Sequence, residues 1–423
     1  MRDWRRTAAF FALLFLKAAG AALLASATPT VTDITFDQDS SRLVTIGYTI
    51  DEPAVVTVDV QTNRGDGVFV SIGAENTREM TGAVNRLVTN TETANTVNWR
   101  PDLYWNQGNK IRGNNVKAVV TAWATNAPPD WMAIDLATKD VRYYVSTNAM
   151  PFAITDDRCK TDTLVMRRIH ATDIEWRMGS PATETGRGDG EQARTVWLTS
   201  DYYIGVYTFT IGQYKTLYPK GTLFSGDVKK PCNGGNANYS KLRGAVNWPN
   251  ETPMHKVASG SLIDSIRNSL AFEFDLPTEA QWEFACRAGT RGGYNDGSEC
   301  ETTEGGTAKS ANLSRLGWYP GDDGTLHEVG LRLPNAWNLY DMHGNVLECC
   351  LDLIDKSVDM STHGGADPVG LASVATEKRV QKGGGYTNYP PKNCRSAFRE
   401  GTEPGISYAN YGFRLVCPPL AVR

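Results

Sequence analysis

The chain has 423 residues, a formal net charge of −4 and 41% hydrophobic against 21% charged residues. That length admits roughly two or three globular domains. No Lys/Arg run interleaved with aromatics occurs, so the electrostatic footprint of a nucleic-acid binder is missing.

Residues 1–27 read as a secretory signal peptide: Arg2, Arg5 and Arg6, then the apolar "AAFFALLFL", then Ala25-Ser26-Ala27 as a small-x-small cleavage site. Lys17 interrupts the apolar run and argues against a permanent membrane span. The expectation is a secreted or periplasmic protein with no membrane span after cleavage. In such an oxidising compartment cysteines tend to pair. All eight lie after residue 158, which by itself suggests two domains of different character.

Residues 28–150 are expected to form an all-β sandwich. "RLVTIGYTI" (42–50), "AVVTVDVQT" (54–62) and "NVKAVVTAWA" (115–124) alternate apolar and polar residues, and turn clusters separate them. The stretch "VNWRPDLYWNQGNKIRGNNVKAVVTAWA" resembles the closing hairpin of immunoglobulin-like domains. "ATNAPPDWMAIDLATKD" reads as a late loop of this domain, and 148–160 as the linker.

From 158 to 418 the chain is rich in Gly, Trp and Asn, with few long periodic segments. Two helices stand out, "GSLIDSIRNSLAFEF" and "LPTEAQWEFACRAGT". In the second, Thr278 and Gln281 make a capping box, Glu283 and Arg287 an i,i+4 pair, and Gly289 the stop. The five histidines show no metal-ligand spacing, and no G-x-S-x-G, Walker or dinucleotide motif is present.

Five stretches occur in order: "IEWRMGSPATETGRGDGEQARTVWLTSDYYIGVYTFTIGQY", "DLPTEAQWEFACRAGT", "LPNAWNLYDMHGNVLECCLD", "RVQKGGGYTNYPPKNCRSAFR" and "NYGFRLV". Together they resemble the formylglycine-generating enzyme, or sulfatase-modifying factor, superfamily. The resemblance implies an α+β, loop-rich C-type-lectin-like fold. It also implies an oxygen-dependent oxidase that turns a sulfatase cysteine into formylglycine, with copper(I) held by two thiolates, soft ligands suited to that ion.

The copper loop has changed. The family's two cysteines fall on Asn388 and Asn393, so copper is not expected. A one-residue shift would bring Cys394 to the second position, but the "CRSAFR" frame anchored at Arg399 sets it apart. The resemblance implies instead a structural Cys350–Cys394 disulfide. "GNVLECC" stands where relatives read "GNVWEWC", placing Leu347 and Cys349 at two tryptophan positions, and Thr208 stands where relatives carry a carboxylate. Calcium is the metal the resemblance implies. One site falls on Asp341, Gly344, Val346 and Glu348, a second on Asn312, Leu313, Asp323 and Thr325.

Two functions follow. One is a diverged, non-catalytic module binding carbohydrate or protein through its loops. The other is an active oxidase converting a sulfatase cysteine to formylglycine, or another maturation enzyme on exported substrates.

Overall fold

In a computed structural model, residues 28–419 are described, except 64, 106–110, 112–114, 245–247, 251–254, 302–304 and 375–376. The signal-peptide segment lies outside the described residues.

The N-terminal domain is built by alternation. Strand Val44–Ile50 buries every second side chain, Val44, Ile46, Tyr48 and Ile50, as the two-residue period of a half-buried strand requires. It lies between Val31–Gln38 and Asn95–Trp99, and the latter also pairs with Thr81–Gly82. A second sheet forms on Ala54–Asn63, which pairs with Val116–Trp123 from Val55↔Trp123 to Thr62↔Val116 and also carries Phe69–Ser71 and Arg86–Val88. The core of Ile46, Val56, Val60, Val97, Trp99 and Val120 unites residues of both sheets.

The domain boundary falls earlier than the sequence suggests. Trp131–Asp135 and Val141–Tyr144 are not a late loop of the sandwich. They form a hairpin that extends the C-terminal domain's main sheet, in the order 141–144, 131–135, 163–169, 202–205, 416–417. The reason this strand escapes a periodicity reading is burial on both faces. Met132 and Ile134 enter one core cluster and Trp131 and Ala133 another, so "WMAI" shows no alternation.

The hairpin also fastens the sandwich. Tyr143 N donates to Asn85 O at 2.7 Å, Asp140 pairs with both Arg86 and Arg142, and Val55 of the sandwich belongs to the C-terminal core.

The rest of the C-terminal domain is short strands and loops around a helix. Glu279–Arg287 has the expected capping box of Thr278 and Gln281, and it ends at Ala288 in the left-handed region. Trp282, Ala285 and Cys286 pack into a core with Cys350 and Val380. The Glu283–Arg287 pair is buried rather than solvated, with side chains only 1% and 6% exposed. Lys382 Nζ reaches Glu283 Oε2 at 3.1 Å, and Arg399 clasps Glu279 through bonds of 2.6 and 2.7 Å. This web ties the helix to strand Arg379–Lys382 and to the loop that follows it. Buried ions of this kind are retained only when each is paired. Among the described residues, no helix is long and apolar enough to cross a membrane.

Candidate functional site

The loop 383–399 leaves strand Arg379–Lys382 through tight glycines. Gly384 has φ 73°, and a Cβ there would sit 2.5 Å from Cys394 Sγ and 2.7 Å from Asn393 O. Only glycine accepts both the left-handed backbone and that approach. The far end of the loop is held by buried arginines. Arg395 reaches Glu191 Oε2 at 2.9 Å, and Arg399 is fixed on Glu279 as above.

His343 supports the loop from below. Its Nδ1 lies 2.7 Å from Cys394 O, and its Nε2 accepts from Asn295 N at 3.0 Å. A carbonyl only accepts, so Nδ1 carries the proton and the ring is neutral. Burial pushes its pKa down to about 4, outweighing the bond to Cys394 O, which favours the protonated ring.

Cys394 is sealed in this arrangement. It is fully buried, its Sγ lies 3.7 Å from Tyr389 O, and burial raises its thiol pKa well above the ordinary value. Such a thiol is protonated and inert at neutral pH. No disulfide joins it to Cys350. Cys350 lies in the core with Trp282, and Cys394 in a different cluster with Tyr294, Cys300 and Tyr319.

Above the loop lies an open groove of about 540 Å³, whose lining includes Asn388, Tyr389, Glu400, Tyr408, Asn410 and Tyr411. Asn388, at the first family cysteine position, is exposed and adopts φ 63°, a conformation Asn tolerates. Asn393 does not line the groove. Tyr411 OH is 2.5 Å from Thr402 Oγ1 and also bonds Tyr389, while Tyr408 is 59% exposed and lies edge-on to Tyr411 at 5.3 Å. Asn410 Nδ2 donates to Thr387 O at 3.1 Å, which orients the neighbouring backbone. Leu347, at a family tryptophan position, is buried below the loop, 3.0 Å from where a Gly385 Cβ would lie.

A larger cavity of about 880 Å³ lies elsewhere, beside Trp248, His255 and Asp275. It is lined by none of the family loop residues.

The implied metals fit poorly. Copper(I) wants soft donors, and positions 388 and 393 offer carboxamides while the nearest thiol is sealed. At the first calcium set, Glu348 is already saturated. Its Oε1 accepts from Thr208 Oγ1 and Arg414 Nη2, both at 2.8 Å, and its Oε2 from Trp282 Nε1 and Arg414 Nε, both at 2.7 Å. Glu348 is thus an arginine partner. Asp341 accepts from Gly330 N at 2.7 Å through Oδ2, and its buried Oδ1 has no hydrogen-bond partner. Burial pushes the Asp341 pKa up to about 6, outweighing the Gly330 N–H bond and the Arg414 and Lys160 charges that lower it. Gly344 and Val346 are buried on the intervening turn. As arranged, this set does not fit calcium.

The second set is split. Asn312 bonds the 299–301 segment, through Glu299 O and Glu301 Oε2, and Leu313 is core. Asp323 closes on Thr325 and His327. Among the described residues, no group of three or more acidic, histidine or cysteine side chains gathers there to hold a metal.

Three features of the site were missed by sequence reasoning. Tyr389, Asn410 and Tyr411 sit inside quoted motifs, so a signal existed. Arg414 in "GFRLV" is the ion that claims Glu348. Tyr408 carries no sequence signal at all.

Residues 173–418 match the family model described as "Sulfatase-modifying factor enzyme 1-like domain". The chain is 32% identical over 183 residues to the formylglycine-generating enzyme of Thermomonospora curvata, covering 40% of this chain and 58% of that protein. It is 33% identical over 158 residues to the formylglycine-generating enzyme of Mycobacterium tuberculosis, covering 34% and 52%. It thus spans little more than half the length of these relatives. Among solved structures, Treponema denticola variable protein 1 aligns with a TM-score of 0.45 at 23% identity, covering 61% of this chain and 96% of that one. PvdO from Pseudomonas aeruginosa aligns with a TM-score of 0.46 at 20% identity, covering 60% and 94%. With the family model matched over more than half of its length, the chain belongs to the sulfatase-modifying factor, or formylglycine-generating enzyme, family.

Proposed function

We propose that this chain is a diverged, exported member of the family that binds a carbohydrate or protein ligand and does not oxidise cysteine through copper. The observation that carries this reading is the replacement of the thiolate pair by Asn388 and Asn393, with Cys394 sealed beneath an aromatic, polar groove. Tyrosines offer large amphipathic faces at low entropic cost, and asparagines and carboxylates offer directional hydrogen bonds. That combination suits a polyhydroxylated ring or a polar peptide segment. The rigid support below the groove keeps the ordering cost of binding small.

A sulfatase is one protein ligand the family suggests. In this reading it would be bound without turnover. The test is binding of the mature protein to a glycan array and to sulfatase-derived peptides, with wild type beside Tyr408→Ala. Ligand capture that weakens in the variant supports the reading. Capture that ignores the groove overturns it.

A further inference from the structure

We infer that Cys300 and Cys394 are a disulfide-forming pair, and that their bridge staples the groove-bearing loop to the turn 292–300. Both thiols lie in one small apolar cluster with Tyr294, Leu313, Leu316 and Tyr319, and none of these is more than 3% exposed. The two chain segments are locked side by side. Ser396 N donates to Gly293 O at 2.8 Å, and Tyr294 OH donates to Pro391 O at 3.0 Å. A Cβ on Gly293 would lie 3.3 Å from Cys300 N and 3.6 Å from Arg395 Cδ. Tyr294 hydrogen-bonds the Cys300 thiol and feels the Cys394 thiol.

Other cysteines also share clusters, Cys232, Cys349 and Cys417 in one and Cys286 and Cys350 in another. What sets Cys300 and Cys394 apart is that backbone and tyrosine hydrogen bonds hold their two segments together. Cys349 and Cys350 enter opposite core clusters from successive positions of one strand, so their side chains diverge. Cys286 faces Met342 O, His343 Nε2 and Ser396 Oγ, and Cys159 faces Ala153 O.

Formation needs a two-electron oxidant, here a protein or small-molecule disulfide such as oxidised glutathione. One thiolate attacks that disulfide and expels a thiolate. The second then attacks the mixed disulfide, the S–S bond closes, and the oxidant leaves as two thiols. The chain loses two hydrogens. Both thiols are buried once folded, so closure belongs to maturation, and a closed bridge resists reductant. The effect on the groove rests on the binding reading above. The bridge itself does not.

The experiment is to refold the mature chain in a glutathione redox buffer and map its peptides without reduction. The expected result is one linked pair, Cys300–Cys394, absent in Cys300→Ser. Folded protein in which Cys394 is alkylated, or is linked to Cys350, overturns the pairing. Backbone hydrogen exchange over 389–396 should be slower in the bridged than in the reduced form; equal rates overturn the stapling. A bridged protein that binds nothing in the groove overturns the binding reading and leaves the pairing standing.

Discussion

Glu348 shows how one residue type takes a different role on the same scaffold. Its four hydrogen bonds come from Arg414, Trp282 and Thr208, and all three partners are buried with it. Removing the carboxylate charge leaves Arg414 uncompensated in the core. Glu348→Gln should therefore cost about 3–5 kcal/mol in urea unfolding. A loss under about 1 kcal/mol would show that Arg414 finds other partners. Asp352 gives a pH signature. Burial first, then the neighbouring Glu279 charge, push its pKa up to about 7 from the ordinary 3.8. An acid raised on folding stabilises fully below its unfolded pKa, and that stability is lost as pH rises through the folded pKa. Asp352→Asn should remove this fall. From pH 4 to 8 the wild type should lose up to roughly 4 kcal/mol relative to the variant, measured by denaturant midpoints. Parallel pH profiles would contradict it. At the groove, Tyr389→Ala and Tyr408→Ala should each weaken ligand binding by about five- to thirtyfold with folding intact for Tyr408→Ala.

At the scale of elements, legibility follows local chemistry. Helix Glu279–Arg287 was readable because Thr278 and Gln281 satisfy the first N–H groups by side chains three positions apart. Strand Val44–Ile50 was readable because one face meets the core and the other meets solvent. Strand Trp131–Asp135 was not, because cores cover both of its faces. The groove resisted for another reason. Its walls come from Lys378, from 388–389, from 400–403 and from residues between 406 and 411, and no spacing rule joins exposed Tyr408 to Asn388. The calcium set was legible as a motif, yet its fate depends on Arg414, some sixty residues beyond Glu348. Because Glu348 is engaged and Asp341 lacks a cage, calcium should leave this chain unmoved. Chelator and millimolar calcium should shift Tm by less than about 2 °C, since ligand linkage scales with occupied native sites. A rise of several degrees with calcium would show that the turn 341–348 rearranges to bind it.

Across the whole molecule, the sandwich and the loop-rich domain share structure. Strand Trp131–Asp135 lies between 141–144 and 163–169, and Tyr143 and Asp140 reach back to Asn85 and Arg86. A chain begun at residue 150 would lose two of the five main-sheet strands and expose Val165 and Met166. It should aggregate, whereas one begun near 126 keeps the sheet and should be soluble at lower stability; light scattering and circular dichroism check this. The central claim concerns chemistry, and one assay meets it most directly. The mature protein is incubated with copper(I), oxygen and a cysteine peptide carrying a sulfatase motif, and the peptide is weighed by mass spectrometry. Unmodified peptide is the expected result. An aldehyde product, formed by wild type and lost in Cys394→Ser, would contradict the account.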